Sequence, residues 1–274
     1  MTDTGTTTKP KPMMRGGRRL RDGHVLYWWV EVLAILAFYL VYSAIRNSHG
    51  TKPPHALQHA QQIISLERHL GIFHEATIQR WALHCKPLII AANYAYGSLH
   101  FVVTIGVGIW LFRKHSEDYP RFRNTLAVTT GLALIGFSLY PLVPPRLLYT
   151  DYPQLFSHLG FVDTLQKYPT IWSFDSGPAA KVSNEYAAMP SVHIAWSTWC
   201  ALAMVPRLKS TAGKILAASY PVITLVVIVI TANHYILDAV GGLVILGVGW
   251  FVGQRITRAG RGAPIPEPIE RSDY

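Results

Sequence analysis

The sequence predicts an all-α, polytopic membrane protein with six membrane-spanning helices and interfacial helices after the first span. Half of the 274 residues are hydrophobic and only 15% are charged, whereas about a quarter of the residues in a soluble domain are charged. The hydrophobic residues form long blocks, and the Lys and Arg residues gather between alternate blocks. These three observations favour a helical bundle in a bilayer over a soluble fold.

Six hydrophobic blocks approach the roughly 20 apolar residues that a helix needs to cross a bilayer. They are 27–45, 87–112, 125–143, 192–205, 215–232 and 235–252. Two of the linkers between them are long, at 46–86 and 144–191. Within the first of these, segment 55–84 is polar but has apolar residues at helical spacing, which predicts helices at the membrane interface.

The distribution of positive charge predicts the orientation in the membrane. Most of the 25 Lys and Arg residues fall in four segments, 1–26, 113–124, 206–214 and 253–274. Because cytoplasmic loops are enriched in Lys and Arg, we expect these segments and both termini to be cytoplasmic, in a plasma-membrane protein.

The composition also predicts the domain organisation. Residues 1–26 and 254–274 contain little apolar sequence and are predicted to be disordered cytoplasmic tails, which leaves 27–253 as one membrane domain. The net charge of +10 does not indicate nucleic-acid binding, because the basic residues flank apolar blocks and form no extended basic face. Glu31, inside the first block, is expected to make a structural hydrogen bond near the inner end of its span.

Two histidines begin predicted spans. His193 lies at the start of the fourth block and His234 just before the sixth. The chain crosses the bilayer twice between them, so both histidines are expected on the same, outer, face. Ionisable residues at membrane depth are costly and usually functional. The sequence therefore predicts a histidine-based site on the outer side.

The residues around these histidines are suited to phosphoryl transfer. His234 and Asp238 lie four residues apart, on one side of a helix, so the carboxylate can fix the imidazole tautomer and leave the other nitrogen as a nucleophile or base. His193 follows Ser191, a good helix N-cap, at a helix start that can bind phosphate. Arg146, just beyond the third block, can bind phosphate oxygens in a bidentate manner.

These motifs resemble those of the type 2 phosphatidic acid phosphatase superfamily, in which Pro-Ser-Gly-His and His-x-x-x-Asp each open a helix. Here the corresponding residues are Pro190-Ser191-Val192-His193 and His234 with Asp238. The chain more closely resembles the inositol phosphorylceramide synthase branch, also called inositolphosphotransferases, and the resemblance spans about 55 to 253. The stretches that carry it are 66–71, 93–96, 141–147, 184–193 and 231–242.

The resemblance implies a role for each of these residues. His234 would be the nucleophile that forms a phosphohistidine, oriented by Asp238, and His193 would protonate the leaving alkoxide. Arg146 and Ser191 would hold the phosphate. No metal and no diffusible cofactor are implied. The partners would be a membrane lipid substrate and, as acceptor, a lipid alcohol, a small alcohol or water.

Three departures from the superfamily pattern bear on the substrate. Val192 replaces the usual glycine between Ser and His, Ile228 stands where the third motif would have an arginine, and the first motif's lysine is not found at its expected spacing before Arg146. With fewer cations at the site, a phosphodiester with one negative charge suits it better than a monoester dianion. This favours a head-group transferase.

Two alternatives remain open from the sequence. The same residues would serve a lipid phosphate phosphatase that acts on phosphatidate or on polyprenyl phosphate or diphosphate, with water as the acceptor. A non-catalytic scaffold or a transporter is the more distant alternative, because the chain has no evident inverted repeat or broken mid-membrane helix. The outer loop 144–188 is expected to cover the site, and the sequence does not predict the oligomeric state.

Overall fold

The computed structural model describes residues 17–47, 55–170 and 186–262, which are mostly helical. The strands and helices are β1 (Gly17–Arg19), β2 (Val25–Tyr27), α1 (Trp28–Asn47), α2 (Ala56–His69), α3 (Glu75–Ala82), α4 (Lys86–Tyr94), α5 (His100–Lys114), α6 (Tyr119–Leu139), α7 (Pro145–Asp151), α8 (Pro153–Phe156), α9 (Thr164–Lys167), α10 (Val192–Met204), α11 (Thr211–Ile230) and α12 (Ile236–Gly262). A π-helical segment, Ala95–Leu99, joins α4 to α5, and a short 3-10 turn, Ser157–Leu159, follows α8.

A helix lies at each of the six predicted blocks, although several bounds differ. Among the described residues, three helical stretches are long and apolar enough to cross a membrane, namely Lys86–Lys114, Thr211–Ile230 and Ile236–Gly260. Trp28–Ala37 and Val192–Met204 are apolar but shorter. These stretches support a membrane protein, while the number of six spans and the interfacial location of α2 and α3 stay predictions.

The helix at the third block differs from the prediction at both ends. Block 125–143 was expected to be helical throughout, but α6 runs over Tyr119–Leu139, so 140–143 lie beyond its end. The helix also begins earlier, within a polar sequence that includes Arg121 and Arg123. Pro120 at the start of α6 is compatible with an early helical position, since a proline there lacks an N–H that the helix would not use.

Helices α6 and α12 form the closest helix pair of the bundle. Gly249 and Gly253 of α12 are spaced as in Gly-x-x-x-Gly and lie against α6. A Cβ at Gly253 would come within 2.6 Å of the Thr125 backbone nitrogen, and a Cβ at Gly249 would clash with the Thr129 hydroxyl. Small residues at such spacing let helix backbones approach closely in membranes. This packing fixes α12, the helix that follows His234.

Two ion pairs of the described residues lie at the end of the bundle where α5 ends and α6 begins, here called the arginine end. Glu31 of α1 accepts hydrogen bonds from Arg123 (2.6 Å) and from the Tyr119 hydroxyl (3.1 Å), which confirms the structural role predicted for this buried acid. Arg207, after α10, pairs with Asp118 at 2.6 Å. These contacts tie α1 and α10 to α6.

The tail segments differ in part from the prediction. Residues 17–26 fall in the tail predicted to be disordered, yet β1 and β2 pair in an antiparallel hairpin. Leu20 and Leu26 are buried in it, and the Arg21 backbone N–H donates to Glu117 at 2.9 Å. The two leucines and this anchor stabilise a segment whose overall composition is polar. Helix α12 continues to Gly262, past the predicted end of the membrane domain at 253. Residues 1–16 and 263–274 lie outside the described residues.

The opposite end, where α10 and α12 begin, is here called the histidine end. Helix α2 buries Ala60, Ile63 and Ile64 in an apolar cluster with residues of segment 142–148 and with Tyr235. The Tyr235 hydroxyl donates to the Val143 carbonyl at 3.1 Å. The cluster packs α2 and segment 142–148 against the residues that precede α12, and so supports the site.

Candidate functional site

Three chain segments meet at the histidine end through backbone hydrogen bonds. The Ser191 N–H donates to the Asp238 carbonyl at 2.9 Å, and the Arg146 N–H donates to the Ala232 carbonyl at 2.8 Å. Gly242 allows the first contact, because a Cβ there would overlap the Ser191 carbonyl oxygen. Backbone hydrogen bonds therefore hold these three distant segments together independently of their side chains.

A tight turn between α11 and α12 sets the direction of His234. Ala232 has φ of 53°, in the left-handed region that few non-glycine residues adopt. The Ala232 N–H donates to Val229 and the Asn233 N–H donates to Ile228, the pattern of a Schellman helix end. The Asn233 side chain donates to the Thr231 hydroxyl at 2.9 Å. The turn is therefore held by both backbone and side chains.

His234 and Asp238 interact as their spacing predicts. The Nδ1 atom of His234 lies 3.2 Å from Oδ2 of Asp238, and both residues are buried. The same oxygen accepts the Tyr235 N–H at 2.9 Å. Because a carboxylate accepts hydrogen bonds, the proton of His234 belongs on Nδ1. The lone pair of the imidazole is then on Nε2.

The second histidine faces that lone pair. Nδ1 of His193 lies 3.4 Å from Nε2 of His234, and the rings are nearly perpendicular, at 66°. Nε2 of His193 lies 3.3 Å from the Tyr96 carbonyl oxygen, which can only accept, so this nitrogen carries a proton. A hydrogen bond between the two imidazoles requires one further proton between them. The pair is thus arranged to hold a transferable proton beside a nucleophilic nitrogen.

The π-helical segment and the start of α5 support His193 from the other side. The Tyr96 ring stacks on His193 with centroids 4.4 Å apart, and the ring of buried His100 lies 4.2 Å from that of His193. Single π-turns inside α-helices are common at functional sites. Neither Tyr96 nor His100 was predicted as a site residue. His100 could have been found as an ionisable residue inside an apolar block.

Arg146 is close in the backbone to the histidine turn, but its side chain is paired. The Nη1 atom of buried Arg146 lies 2.6 Å from Oδ2 of Asp163. Asp163 Oδ1 accepts the Leu165 and Gln166 N–H groups at the start of α9. The pairing occupies one nitrogen of the guanidinium group and partly offsets its positive charge. No local sequence pattern predicts this partner, because Asp163 lies in a long loop.

Ser191 differs from the prediction in one respect. It is the N-cap residue of α10, but its hydroxyl makes no capping hydrogen bond. The Oγ atom is buried and has no hydrogen-bond partner among the described residues. A buried hydroxyl without a partner is costly in a finished core, so this atom is available to a bound phosphate next to His193.

The start of α12 is not available to phosphate. Glu67 of α2 accepts the Leu237 N–H at 2.7 Å, and Glu75 of α3 accepts the Ile236 N–H at 3.0 Å. Sequence reasoning missed both acids. Glu67 could have been noticed because it shares a helical face with the apolar Ala60, Ile63 and Ile64. The free helix start at the site is therefore that of α10.

A family model described as the PAP2 superfamily matches residues 61–252. The chain belongs to the PAP2 superfamily. No curated protein and no solved structure matches it. Membership confirms the superfamily part of the resemblance and indicates an enzyme of the phosphatase or phosphotransferase type that acts on lipid phosphates.

The PAP2 motifs of this chain lack the arginine of the third motif, and the surroundings of that position cannot accommodate another cation. Ile228, where an arginine is expected, is fully buried among Ile194, Val229 and Ala239. A cation cannot replace it there without being buried among apolar groups. The fold of this PAP2 protein therefore offers no place for a cation at position 228.

Proposed function

We propose that this protein is an integral membrane enzyme that transfers a lipid-linked phosphoryl group through a phosphohistidine on His234, with His193, Asp238, Arg146 and Ser191 as its other site residues. The observation that carries the proposal is the 3.4 Å contact between Nε2 of His234 and Nδ1 of His193, with Asp238 on the opposite nitrogen of His234. Family membership over residues 61–252 supports the same chemistry.

In the first step the lone pair on Nε2 of His234 attacks phosphorus and the bond from phosphorus to the leaving oxygen breaks. The proton on Nδ1 of His193 passes to that oxygen, so the alcohol departs neutral. Asp238 stabilises the positive charge that develops on His234. Arg146 and the Ser191 hydroxyl hold the non-bridging oxygens.

In the second step an alcohol or a water molecule attacks the phosphohistidine. His193 has lost its Nδ1 proton in the first step, so this nitrogen now takes the proton of the nucleophile. The bond from phosphorus to Nε2 of His234 breaks. Both imidazoles return to their starting state, so no metal or diffusible cofactor is required by the proton balance. An alcohol acceptor makes the enzyme a head-group transferase, and water makes it a phosphatase.

The charges around the site favour a phosphodiester donor, and thus head-group transfer of the inositolphosphotransferase type. Arg146 shares its charge with Asp163 across 2.6 Å, and Ile228 supplies no second cation. Among the described residues of the site, the remaining positive charge would neutralise a monoester dianion poorly, whereas a diester carries a single charge. The alternative is a lipid phosphate phosphatase for phosphatidate or polyprenyl phosphates, which the family match also supports. A scaffold or transporter would not need the proton-sharing pair.

We further propose that the histidine end faces the outside of the plasma membrane and that both termini are cytoplasmic. The basic residues Arg113, Lys114, Arg121 and Arg123 lie at the arginine end, where the positive-inside rule assigns the cytoplasm. Cysteine labelling at Lys209 and at Gln166, from outside intact cells, would test this. Labelling at Gln166 alone is expected, and labelling at Lys209 alone would contradict the orientation.

His234→Ala tests the proposed enzyme. The variant should lose all turnover of phosphatidate and of phosphatidylinositol with added alcohols, because the nucleophile is gone. Thr257→Val, at the far end of α12, serves as the folded control. Equal activity of His234→Ala and the wild type would contradict the proposal. Product masses then separate the two reactions. A new phosphate ester of the added alcohol indicates transfer, whereas free phosphate from phosphatidate or inositol phosphate from phosphatidylinositol indicates hydrolysis.

A further inference from the structure

Two buried acids, Glu67 and Glu75, lie against the first turn of the helix that follows His234. Both are fully buried. Oε1 of Glu67 accepts the Leu237 N–H at 2.7 Å, and Oε1 of Glu75 accepts the Ile236 N–H at 3.0 Å. Asp238 accepts the Tyr235 N–H of the same turn. Three carboxyl groups thus take the N–H groups that the start of α12 leaves without intrahelical partners.

The side chains of Glu67 and Glu75 are close enough to share a hydrogen bond. Neither Glu67 Oε2 nor Glu75 Oε2 has a hydrogen-bond donor from another group among the described residues. Two ionised carboxylates in contact and out of water repel each other strongly. One proton on Glu67 removes this repulsion, because it can be donated from Glu67 Oε2 to Glu75.

The titration of Glu67 agrees with this arrangement. Burial, followed by the hydrogen bond to Glu75 and the charge of Glu75, raises the pKa of Glu67 to about 9. Glu67 is therefore protonated near neutral pH. The pair presents two acceptor oxygens to the helix and uses a single proton between the two acids.

We propose that Glu67 and Glu75 are positioning residues of the phosphoryl-transfer site, which act as a one-proton pair that fixes the first turn of α12 and with it His234 and Asp238. The inference rests on the proposed function, because it assigns a task to residues that do not touch substrate. The two acids come from α2 and α3, so they also fasten these helices to the histidine turn.

Because the pair needs one proton, the single and double substitutions are expected to differ in their effect on activity. In Glu67→Gln or Glu75→Gln, the amide oxygen can accept the backbone N–H and the amide NH2 can donate to the remaining carboxylate. In the double variant both amide oxygens must face the helix, so two NH2 groups face each other and neither finds an acceptor in the other. Each single variant should thus work and the double variant should not.

The test measures kcat and KM for bis(p-nitrophenyl) phosphate in detergent micelles, together with amide hydrogen exchange of residues 233–240. Each single variant should keep kcat within about threefold of the wild type. The double variant should lose kcat by about tenfold or more, with KM changed less than about threefold and faster exchange in 233–240. Thr257→Val, a buried polar deletion at the other end of α12, should leave kcat and this exchange unchanged.

The proposal would be overturned by single variants as impaired as the double, or by a double variant that matches the wild type in kcat and exchange. If the double variant does not fold, the singles decide, because a tenfold loss in either contradicts a pair that needs only one donor. Unchanged activity in His234→Ala would instead refute the proposed function. The hydrogen-exchange measurement does not depend on turnover. It therefore tests whether Glu67 and Glu75 stabilise the first turn of α12 even if the proposed function is wrong.

Discussion

Nε2 of His234 and Nδ1 of His193 lie 3.4 Å apart, with Asp238 bonded to the far side of one ring and the Tyr96 carbonyl to the far side of the other. The two outer hydrogen bonds fix the tautomers, so the two inner nitrogens compete for one proton. A phosphoryl group bound beside this pair would meet the lone pair of His234 at phosphorus and the proton of His193 at its leaving oxygen. This relationship leads to the first prediction.

His193→Gln should slow the reaction according to the leaving group. With phosphatidylinositol, whose leaving alkoxide needs a proton, kcat should fall by about 10²–10⁴, the usual contribution of general acid catalysis. With bis(p-nitrophenyl) phosphate, nitrophenolate departs unprotonated, so release of the first nitrophenol should fall less than about tenfold. Steady-state and rapid-mixing assays of the purified variant check this. Equal losses for both substrates would contradict an acid role for His193.

Gly242→Ala should impair the site without a change in any side chain that touches substrate. The new methyl group would overlap the Ser191 carbonyl, so the segment before His193 must move away from α12. We expect kcat to fall by about tenfold or more, because small displacements of catalytic groups are costly. Gly247→Ala on the same helix is the matched control, since nothing lies within 4 Å of its Cβ. Similar kcat values for the two variants would exclude this role of Gly242.

Asp163→Asn should shift the choice of substrate. The change removes the negative charge that pairs with Arg146 at 2.6 Å, while an asparagine can still cap α9. The ratio of kcat/KM for phosphatidate to kcat/KM for a phosphodiester should rise, by roughly tenfold if about 1.4 kcal/mol of charge stabilisation is gained. Parallel assays on mixed micelles of each lipid measure the ratio. An unchanged or lower ratio would show that the pair with Asp163 does not set the charge preference.

The stability of the protein should depend on pH through Glu67. Its folded pKa of about 9 lies above its ordinary value of 4.5, so the folded protein binds a proton that the unfolded chain lacks between these pH values. The contribution is fully present below about pH 4.5 and is lost as the pH rises through about 9. Glu75, Asp238 and Tyr235 are the titratable groups that face it.

Thermal unfolding in detergent between pH 5 and pH 9 checks this dependence. The melting temperature of the wild type should fall with rising pH more steeply than that of Glu67→Gln, which has no such proton to lose. The difference in the free energy of unfolding is at most about 1.4 kcal/mol per pH unit for one proton. Parallel curves for the two proteins would mean that Glu67 is ionised in the folded state.

The sequence predicts the central part of the site because its residues obey local rules. His234 and Asp238 are related by one helical turn, and His193 reaches the same end because two helices separate it from His234. Their joint position needs only helical periodicity and the count of apolar blocks. The bond from His234 to Asp238 agrees with that reasoning.

The parts that sequence reasoning missed depend on contacts between distant segments. Glu67 and Glu75 contact the start of α12, from which they are separated by more than 150 residues of sequence. No local pattern encodes that contact. Asp163 reaches Arg146 from a loop that helix rules do not describe. The Ser191 hydroxyl was expected to cap α10, yet the helix start is held instead by the backbone bond from Ser191 to Asp238.

The most direct measurement of the central claim is a search for the covalent intermediate in His193→Gln treated with bis(p-nitrophenyl) phosphate. The first step needs no acid with this substrate, whereas the second step lacks its base, so the intermediate should accumulate. Quenching in alkali, where phosphohistidine is stable, and peptide mass spectrometry should show a nitrophenylphosphoryl group on His234 and a burst of about one nitrophenol per protein. An adduct on another residue, or nitrophenol release without burst or adduct, would contradict phosphoryl transfer through His234.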